Sequence, residues 1–386
     1  MDACDVLIVG GGPAGSACAW GLGNSGLDVR ILDKQKFPRD KVCGGWITPA
    51  VLSELGIEAS EYARGRLLQP ITGFRTGCIG GPAIDTDYGR TVSYGIRRRE
   101  FDEYLLRRSG ARLLEPGALT GLERDSGGWI VNGQIKTRLV VGAGGHFCPV
   151  AKLTGAKQTG ENAVVAQEAE FEMDPQQRAG CRIRPEFPEL YFCADMKGYG
   201  WCFRKQNFLN IGLGRMDRRR LSEHVAAFVR FLQATGRIAF DIPAALLGHA
   251  YLLYGVSERQ PVDDGRLLIG DAAGLAYKQS GEGIRPAIES GLLAARAVLA
   301  AQGNYSRLGL QPYEALLRKR FGTSGQDWAS KVGQRLPSAW IGALGRMLLG
   351  TRWFVREVVI DRWFLHASEP AMDGYAAGRL LTRAVR

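Results

Sequence analysis

The apolar and polar positions of the chain predict a strand, a helix and a second strand at its start. Residues 6–9 are apolar and β-branched, residues 13–24 are rich in Ala and Gly, and residues 28–32 predict the next strand. This order is typical of a βαβ unit, which implies a parallel sheet. Residues 139–144 and 266–270 are also mostly apolar, and we expect both to be buried strands that rejoin this sheet.

The stretches between these segments have a different pattern. Residues 70–93 are rich in Gly, Thr and Ile without helical periodicity, which favours strands of a second sheet. Strands of an antiparallel sheet are predicted at 163–171, 189–193, 200–204 and 208–214, and a short meander at 119–123, 128–132 and 134–137. Helices are predicted at 98–109, 221–236, 283–302 and 311–321.

A glycine-rich turn follows the first strand. Gly10, Gly12 and Gly15 satisfy the pattern G-x-G-x-x-G, with Pro13 and Ala14 completing the turn into the helix. Such a turn brings backbone N–H groups against a pyrophosphate at a helix N-terminus. An ordinary tight turn between strand and helix is the alternative.

Asp33 ends the second strand and Lys34 follows it. A carboxylate about 20 residues beyond the glycines would accept hydrogen bonds from the ribose hydroxyls of an adenosine. Together with the glycine-rich turn, Asp33 predicts a bound dinucleotide.

A second motif favours FAD over NAD. Gly270 and Asp271 end the last apolar strand and place an acid where a ribityl group needs an acceptor, although a strand end capped by Asp is the alternative. Gly281, Gly283 and Ile284 then open a helix whose N-terminal amides could stabilise negative charge on a reduced flavin.

These patterns predict an α/β fold with a Rossmann-like FAD-binding domain built on a βαβ core. An antiparallel-sheet substrate domain interrupts it, and helices follow at the C-terminus. We place the discontinuous FAD-binding domain at 1–69, 94–162 and 256–305, the substrate domain at 70–93 and 163–255, and the C-terminal helical region at 306–386.

The motifs resemble those of FAD-dependent oxidoreductases of the geranylgeranyl reductase family, within the hydroxylase-like flavoprotein superfamily. The likeness covers roughly residues 1–300 and includes the Arg-Arg-Glu-Phe-Asp segment that begins at Arg98. It implies that Arg98 reaches the cofactor.

The segment Lys41-Val42-Cys43-Gly44-Gly45 matches the Cys-Gly-Gly segment of that family. The resemblance implies that Lys41, Cys43 and Gly44 contact the cofactor, with Cys43 beside the isoalloxazine. Cys43 is a candidate catalytic residue that would cycle with the flavin or relay a proton, since a neighbouring cation favours the thiolate. A buried inert thiol is the alternative.

Residues 199–203 carry an aromatic motif that the resemblance assigns to the substrate cavity. Tyr199, Trp201 and Phe203 alternate along a predicted strand and would therefore face one side together. Gly212 and Gly214 follow at the family spacing and are candidate substrate-binding residues with them. Tyr199 is a candidate proton donor or substrate contact, and packing of the three aromatics in a sheet core is the alternative.

Three departures from the family pattern affect these expectations. Arg204 stands where the family has Pro, Lys278-Gln279-Ser280 replaces a Pro-containing segment, and residues 144–146 lack the Asp of the related hydroxylases. No dedicated nicotinamide domain is visible in the sequence. NAD(P)H and ferredoxin both stay open as the electron donor.

The formal net charge of +11 indicates either a solvated surface or a partner that carries negative charge. Basic residues cluster at 97–99, at 215–220 and in the last fifty residues. We expect contact with an anionic membrane surface or a pyrophosphate-bearing substrate as the functional alternative. The pattern predicts no nucleic-acid partner.

The C-terminal region carries an aromatic stripe among its arginines: Trp340, Trp353, Phe354, Trp363, Phe364 and Tyr375. It indicates either a helix packed on its own protein or an interfacial surface for a lipid-like substrate.

Eight cysteines are scattered without a C-x-x-C pattern, and the four histidines have no metal-ligand spacing, so neither a metal site nor a disulfide framework is predicted. We expect His146, His224, His249 and His366 to be structural. No apolar run reaches the ~18 residues of a spanning helix. A cytoplasmic protein, with peripheral membrane contact open, is expected; the oligomeric state is not predicted.

The leading functional hypothesis is an FAD-dependent oxidoreductase of lipid biosynthesis. It would reduce carbon–carbon double bonds of an isoprenoid or similar apolar substrate by hydride transfer from flavin N5. One alternative is a flavin-dependent monooxygenase or halogenase acting on an aromatic or polyketide substrate. Another is a non-redox flavoprotein similar to a cyclase.

Overall fold

A computed structural model describes residues 1–157, 160–217, 220–255, 259–322 and 338–372. Its strands are β1 Asp2–Val9, β2 Val29–Leu32, β3 Trp46–Ile47, β4 Leu68–Ile71, β5 Gly73–Cys78, β6 Ala83–Asp87, β7 Ser93–Ile96, β8 Arg112–Leu113, β9 Leu122–Asp125, β10 Gly128–Val131, β11 Ile135–Gly142, β12 Val164–Glu172, β13 Glu189–Phe192, β14 Gly198–Lys205, β15 Phe208–Arg215, β16 Leu247–Tyr251, β17 Val262–Asp263 and β18 Arg266–Leu268. Its helices are α1 Pro13–Leu22, α2 Pro49–Glu54, α3 Ala59–Tyr62, α4 Arg98–Arg108, α5 Pro149–Leu153, α6 Pro175–Ala179, α7 Leu221–Ala234, α8 Ile284–Ala300, α9 Arg307–Leu310, α10 Pro312–Phe321, α11 Ser338–Leu349 and a π-helix Phe354–Phe364.

The first large sheet contains the predicted βαβ unit. Its main order is β17-β18-β11-β1-β2-β8, and β1, β2, β8, β11 and β18 run parallel. Helices α1 and α8 pack against each other beside it, where a Cβ at Gly291 would lie 2.3 Å from the carbonyl oxygen of Ala14. Val6, Leu7 and Ile8 are fully buried, as expected for a parallel strand covered on both faces.

One strand of this sheet is longer than the sequence predicted. The strands predicted separately at 134–137 and 139–144 both fall on the single strand β11, whose first half pairs with β10, and β10 pairs with β9 on its other side. The polar Thr137 can be buried within it because its hydroxyl donates to the carbonyl oxygen of Leu139 at 3.0 Å. The polar residue Thr137 therefore lies inside β11 and does not end it.

The second large sheet has the order β16-β12-β15-β14-β13-β5-β6. It includes strands at all four positions predicted between residues 163 and 214. Its strand pairs are antiparallel, as predicted, except that β5 and β13 pair in parallel, with Arg75 opposite Glu189. These two strands come from distant parts of the chain, so no hairpin fixes their relative direction.

A small third sheet has the order β3-β7-β4 and connects parts of the chain that precede and follow β5 and β6. The boundaries predicted at 69/70 and 93/94 fall inside β4 and β7, which pair with each other. The strands of 70–93 are thus shared between the second sheet, which holds β5 and β6, and this connecting sheet.

The C-terminal helices cover one end of the second sheet. Val355, Val359, Ile360 and Phe364 of the π-helix are buried in an apolar cluster that also contains Trp201 of β14. Trp340 and Trp353 are instead 72% and 69% exposed, so the predicted aromatic stripe divides between core and surface. Tyr375 lies outside the described residues, as do Arg218 and Arg219 of the basic cluster.

Candidate active site

A cavity of about 530 Å³ lies between the two large sheets. Its wall includes the carboxyl ends of parallel strands, at Val9, Leu32 and Ala143, and residues of the second sheet such as Ala166. Cofactors of α/β proteins bind at this end of the sheet. The volume lies within the range of pockets that bind cofactors and small molecules.

The glycine-rich turn forms one end of the cavity and leaves no space for side chains. Gly10 has a φ of +117°, and a Cβ at Gly15 would lie 1.9 Å from the carbonyl oxygen of Gly10. Gly12 caps α1 without a side-chain hydrogen bond, so the first N–H groups of this helix remain available to an anion. This cradle fits the pyrophosphate of FAD.

Asp33 is fixed beside that turn. Its carboxylate accepts hydrogen bonds from the backbone N–H groups of Gly11 at 2.8 Å and Gln35 at 2.9 Å. Asp33 and Lys34 both line the cavity. Asp33, which the sequence predicts to bind the ribose, therefore lies in the cavity wall at the end of β2.

Buried charges line the wall between the two sheets. The Nζ of Lys41 lies 3.1 Å from Nδ1 of His249, whose Nε2 is 3.9 Å from a carboxylate oxygen of Asp271. Burial, together with the cations Lys41 and Arg98, lowers the pKa of His249 to about 3, so the imidazole is neutral at physiological pH. His249, expected to be purely structural, is part of the cavity wall.

Arg98 brings a second cation to this wall. Its guanidinium makes two hydrogen bonds to Asp102, at 2.8 and 2.9 Å, and also interacts with the thiol of Cys43. Asp102 is fully buried and has Arg39 at 3.3 Å as a further partner. Buried carboxylates of this kind are stable only when paired, so Asp102 fixes Arg98 at the cavity.

Cys43 lies half-buried in the cavity wall on a loop that the second sheet holds. Its N–H donates to Oε1 of Glu168 on β12, and its carbonyl oxygen accepts from the amide of Asn210 at 3.2 Å on β15. Asn210 in turn accepts from the indole N–H of Trp201 at 2.7 Å. The thiol position therefore depends on contacts from three strands.

The aromatic residues of β14 face the cavity together, as their alternation predicted. Tyr199, Trp201 and Phe203 all line it, and the hydroxyl of Tyr199 donates to the carbonyl oxygen of Ser280. Phe364 of the π-helix joins this wall, with its ring centroid 5.3 Å from that of Tyr199. The result is an apolar end of the cavity.

Four of the predicted site residues do not line the cavity. Gly15 packs within the glycine-rich turn. Gly270 packs against α1, where a Cβ on Gly270 would lie 3.0 Å from the Cβ of Ala14. Gly212 and Gly214 lie behind Trp201, and a Cβ on Gly212 would lie 2.2 Å from its ring. The cavity brings together the other predicted residues: Gly10, Gly12, Pro13, Ala14, Asp33, Lys34, Lys41, Cys43, Gly44, Arg98, Tyr199, Trp201, Phe203, Asp271, Gly281, Gly283 and Ile284.

Sequence reasoning missed two buried carboxyl groups of the cavity wall. Burial raises the pKa of both Glu168 and Glu282 to about 7, and each has one oxygen without a hydrogen-bond partner among the described residues. Glu168 could have been found from the alternation of β12, since Ala166 also faces the cavity. Glu282 stood inside the Gly281–Gly283 motif but was not recognised as a reactive group.

Comparison with known proteins agrees with this geometry. A family model described as FAD binding domain matches residues 3–315. A digeranylgeranylglycerophospholipid reductase of Methanocaldococcus jannaschii is 27% identical over 334 residues, covering 81% of this chain and 82% of that protein. A menaquinone reductase of Mycobacterium tuberculosis is 28% identical over 348 residues, covering 83% and 81% of the two chains.

Solved structures show the same fold. A geranylgeranyl bacteriochlorophyll reductase-like protein of Thermoplasma acidophilum has a TM-score of 0.75 at 22% identity and covers 94% of this chain and 97% of its own. A flavin-dependent brominase has a TM-score of 0.66 at 18% identity, covering 95% and 97%. The likeness first seen in the motifs is confirmed, and the chain belongs to the FAD binding domain family as an FAD-dependent oxidoreductase similar to geranylgeranyl reductases.

Proposed function

We propose that this protein reduces carbon–carbon double bonds in the isoprenoid chain of a lipid or quinone. The observation that carries the proposal is the cavity in which a pyrophosphate cradle meets an aromatic wall. The relatives named as reductases of digeranylgeranylglycerophospholipid and of menaquinone support it, because both names describe molecules with isoprenoid chains.

Reduced FAD, when bound, supplies a hydride at N5. The turn at Gly10–Gly15, Asp33 and the N-terminus of α8 would hold this cofactor, in a cavity that Arg98 and Lys41 also line. An isolated alkene accepts hydride poorly, so the protein must hold the reacting carbon within roughly 3–3.5 Å and exclude water. The rings of Tyr199, Trp201 and Phe203 are suited to both tasks.

The structure supports different roles for the two catalytic candidates. Cys43 lines the cavity beside the guanidinium of Arg98, and we assign it to contact with the reacting centre. The hydroxyl group of Tyr199 already donates a hydrogen bond to the carbonyl oxygen of Ser280. Burial also raises its pKa well above the usual value. We therefore assign Tyr199 to substrate contact rather than to proton donation.

Oxygen dependence separates this function from a monooxygenase or halogenase, whose fold the brominase shares. The flavin of the purified holoprotein is photoreduced without oxygen, and geranylgeranyl phospholipid is added in detergent. We expect saturated chains under argon, whereas product formation only after oxygen is admitted would contradict a reductase. Replacing photoreduction by NADPH, NADH or reduced ferredoxin in parallel samples would identify the donor, which we propose is one of these carriers.

An exposed helix surface in the C-terminal region supports peripheral membrane contact. Trp340, Leu344 and Met347 are 72%, 48% and 63% exposed and recur at i, i+4 and i+7, so they share one face of α11. Arg346 and Arg352 are exposed nearby. Tryptophan and basic side chains together suit the headgroup region of an anionic bilayer. Within the described residues, no helix has the length and apolar character needed to cross a membrane.

A further inference from the structure

Saturation of a double bond requires a proton as well as a hydride, so an acid must lie at the aromatic end of the cavity. Tyr199 is committed to the carbonyl oxygen of Ser280. The acid must therefore be another side chain of the wall, and this step rests on the proposed reductase function.

Glu282 follows Ser280 by two residues in the chain and lines the cavity. Its side chain is almost fully buried, with the residue 9% exposed. Oε1 accepts a hydrogen bond from the backbone N–H of Arg285 at 2.8 Å, while Oε2 is buried without a hydrogen-bond partner among the described residues. Glu282 therefore brings to the cavity wall a carboxyl group with one oxygen that no described residue pairs.

The surroundings of Glu282 keep a proton on it near neutral pH. Burial raises its pKa to about 7, whereas the N–H of Arg285 and the charge of His366 act in the opposite direction. An acid of this strength is suited to proton transfer at physiological pH. The titratable and charged groups that interact with it are Arg285, Glu289, His366, Tyr199 and Tyr277.

Glu168 is the other buried carboxyl group of the wall, and its contacts suit a different role. Burial raises its pKa to about 7 as well, against the charges of Lys205 and Lys41, and its Oε1 accepts a hydrogen bond from the N–H of Cys43. Glu168 therefore positions the cysteine loop.

His366, whose charge acts on Glu282, lies close to the carboxylate of Glu369. The imidazole of His366 is buried and stacks on Tyr277 with ring centroids 3.7 Å apart. Its Nδ1 lies 3.6 Å from a carboxylate oxygen of Glu369, whose side chain is 39% exposed, and its Nε2 has no hydrogen-bond partner among the described residues. Phe364, two residues earlier, belongs to the cavity wall, so the same segment reaches both substrate and relay.

We propose that Glu282 is the proton donor of the reaction and that His366 and Glu369 return a proton to it from solvent. One alkene carbon receives the hydride of the reduced flavin, which is thereby oxidised. The π electron pair forms a new C–H bond at the neighbouring carbon as the O–H bond of Glu282 breaks. The resulting carboxylate then takes a proton from the imidazolium of His366.

The test uses holoprotein with photoreduced flavin, mixed without oxygen with geranylgeranyl phospholipid in detergent. Glu282→Gln keeps the shape of the side chain but removes its acid, and we expect flavin reoxidation by the alkene to slow by about 100-fold or more, with flavin binding retained. In the wild-type protein the rate should fall above about pH 7, where Glu282 loses its proton. Glu282→Gln should not show this fall. Glu172→Gln, at an exposed position at the end of β12, is the matched control.

His366→Gln tests the relay through the pH profile. Loss of the imidazolium charge should raise the pKa of Glu282, so the fall in rate should move to higher pH while the maximal rate drops. A merely structural role would lower the rate without moving the profile. That outcome would overturn the relay.

A second readout does not depend on turnover. Infrared difference spectra between pH 5 and 9 should contain a protonated-carboxyl band that Glu282→Gln removes and Glu172→Gln retains. Lack of that band, or a wild-type rate and pH profile in Glu282→Gln, would overturn the role of Glu282 alone. An infrared band of the expected kind in a protein that saturates no alkene would instead overturn the reductase function.

Discussion

Glu168 accepts a hydrogen bond from the backbone N–H of Cys43, so a strand of the second sheet holds the loop that presents the thiol to the cavity. The loop itself follows β2 of the first large sheet and precedes β3. The candidate active site is therefore assembled from residues of both large sheets and the loops that join them.

The buried Glu168 makes stability depend on pH. Burial raises the pKa of Glu168 in the folded protein to about 7 from the ordinary 4.5, so the folded state holds the proton more tightly. The contribution of this group to the free energy of unfolding is fully present below the unfolded pKa of 4.5, and it is lost as the pH rises through the folded pKa of about 7. Glu168→Gln should thus gain up to about 3 kcal/mol relative to wild type between pH 4.5 and 8.

Urea unfolding of both proteins at pH 5 and pH 8 measures this difference. Glu172→Gln, on the same strand but exposed, should show no such change. An equal effect of Glu168→Gln at both pH values would mean that Glu168 is already ionised at pH 5.

Gly15→Ala should prevent the glycine-rich turn from closing. The added methyl group would lie 1.9 Å from the carbonyl oxygen of Gly10, and overpacking of this kind costs about 1–3 kcal/mol or more. We expect the purified variant to lose its bound FAD, measured by the ratio of absorbance at 450 and 280 nm. Gly121→Ala adds the same methyl group in open space and should retain the flavin.

Gly212→Ala and Gly214→Ala form a matched pair that tests the support of Trp201. The methyl group at Gly212 would lie 2.2 Å from the indole ring, whereas at Gly214 its contacts are no closer than 3.7 Å. We expect Gly212→Ala to push Trp201 into the cavity and raise KM for the prenyl substrate about tenfold, a loss of roughly 1.4 kcal/mol. Bound FAD should be unchanged in both variants, and a normal KM in Gly212→Ala would show that the indole can move elsewhere.

The membrane-facing role of α11 is tested by sedimentation with vesicles of neutral or anionic phospholipid. Trp340→Ser combined with Met347→Ser removes two large exposed apolar side chains and should weaken binding to anionic vesicles about tenfold or more. Leu308→Ser is the control, because Leu308 is 77% exposed on α9. Equal weakening by the control would indicate nonspecific adhesion.

Local patterns predicted the parts of the fold that depend on neighbouring residues. The βαβ unit followed from the run of buried β-branched residues before the glycines, and the aromatic wall followed from the alternation of Tyr199, Trp201 and Phe203. In both cases the period of the backbone fixes which side chains share a face.

The remaining parts depend on tertiary contacts that no local pattern contains. His249 and Phe364 reach the cavity because β16 and the π-helix fold back onto it from distant positions in the chain. Glu282 gains its raised pKa from burial, which exists only in the folded protein. The parallel pairing of β5 with β13 likewise depends on a long crossover rather than on a turn.

The most direct test of the account is a single-turnover experiment with photoreduced holoprotein and one equivalent of geranylgeranyl phospholipid, in the absence of oxygen. Flavin absorbance and the mass of the lipid are followed together. We expect each reoxidised flavin to match one saturated double bond. A flavin that stays reduced while the lipid remains unchanged would contradict the proposed function.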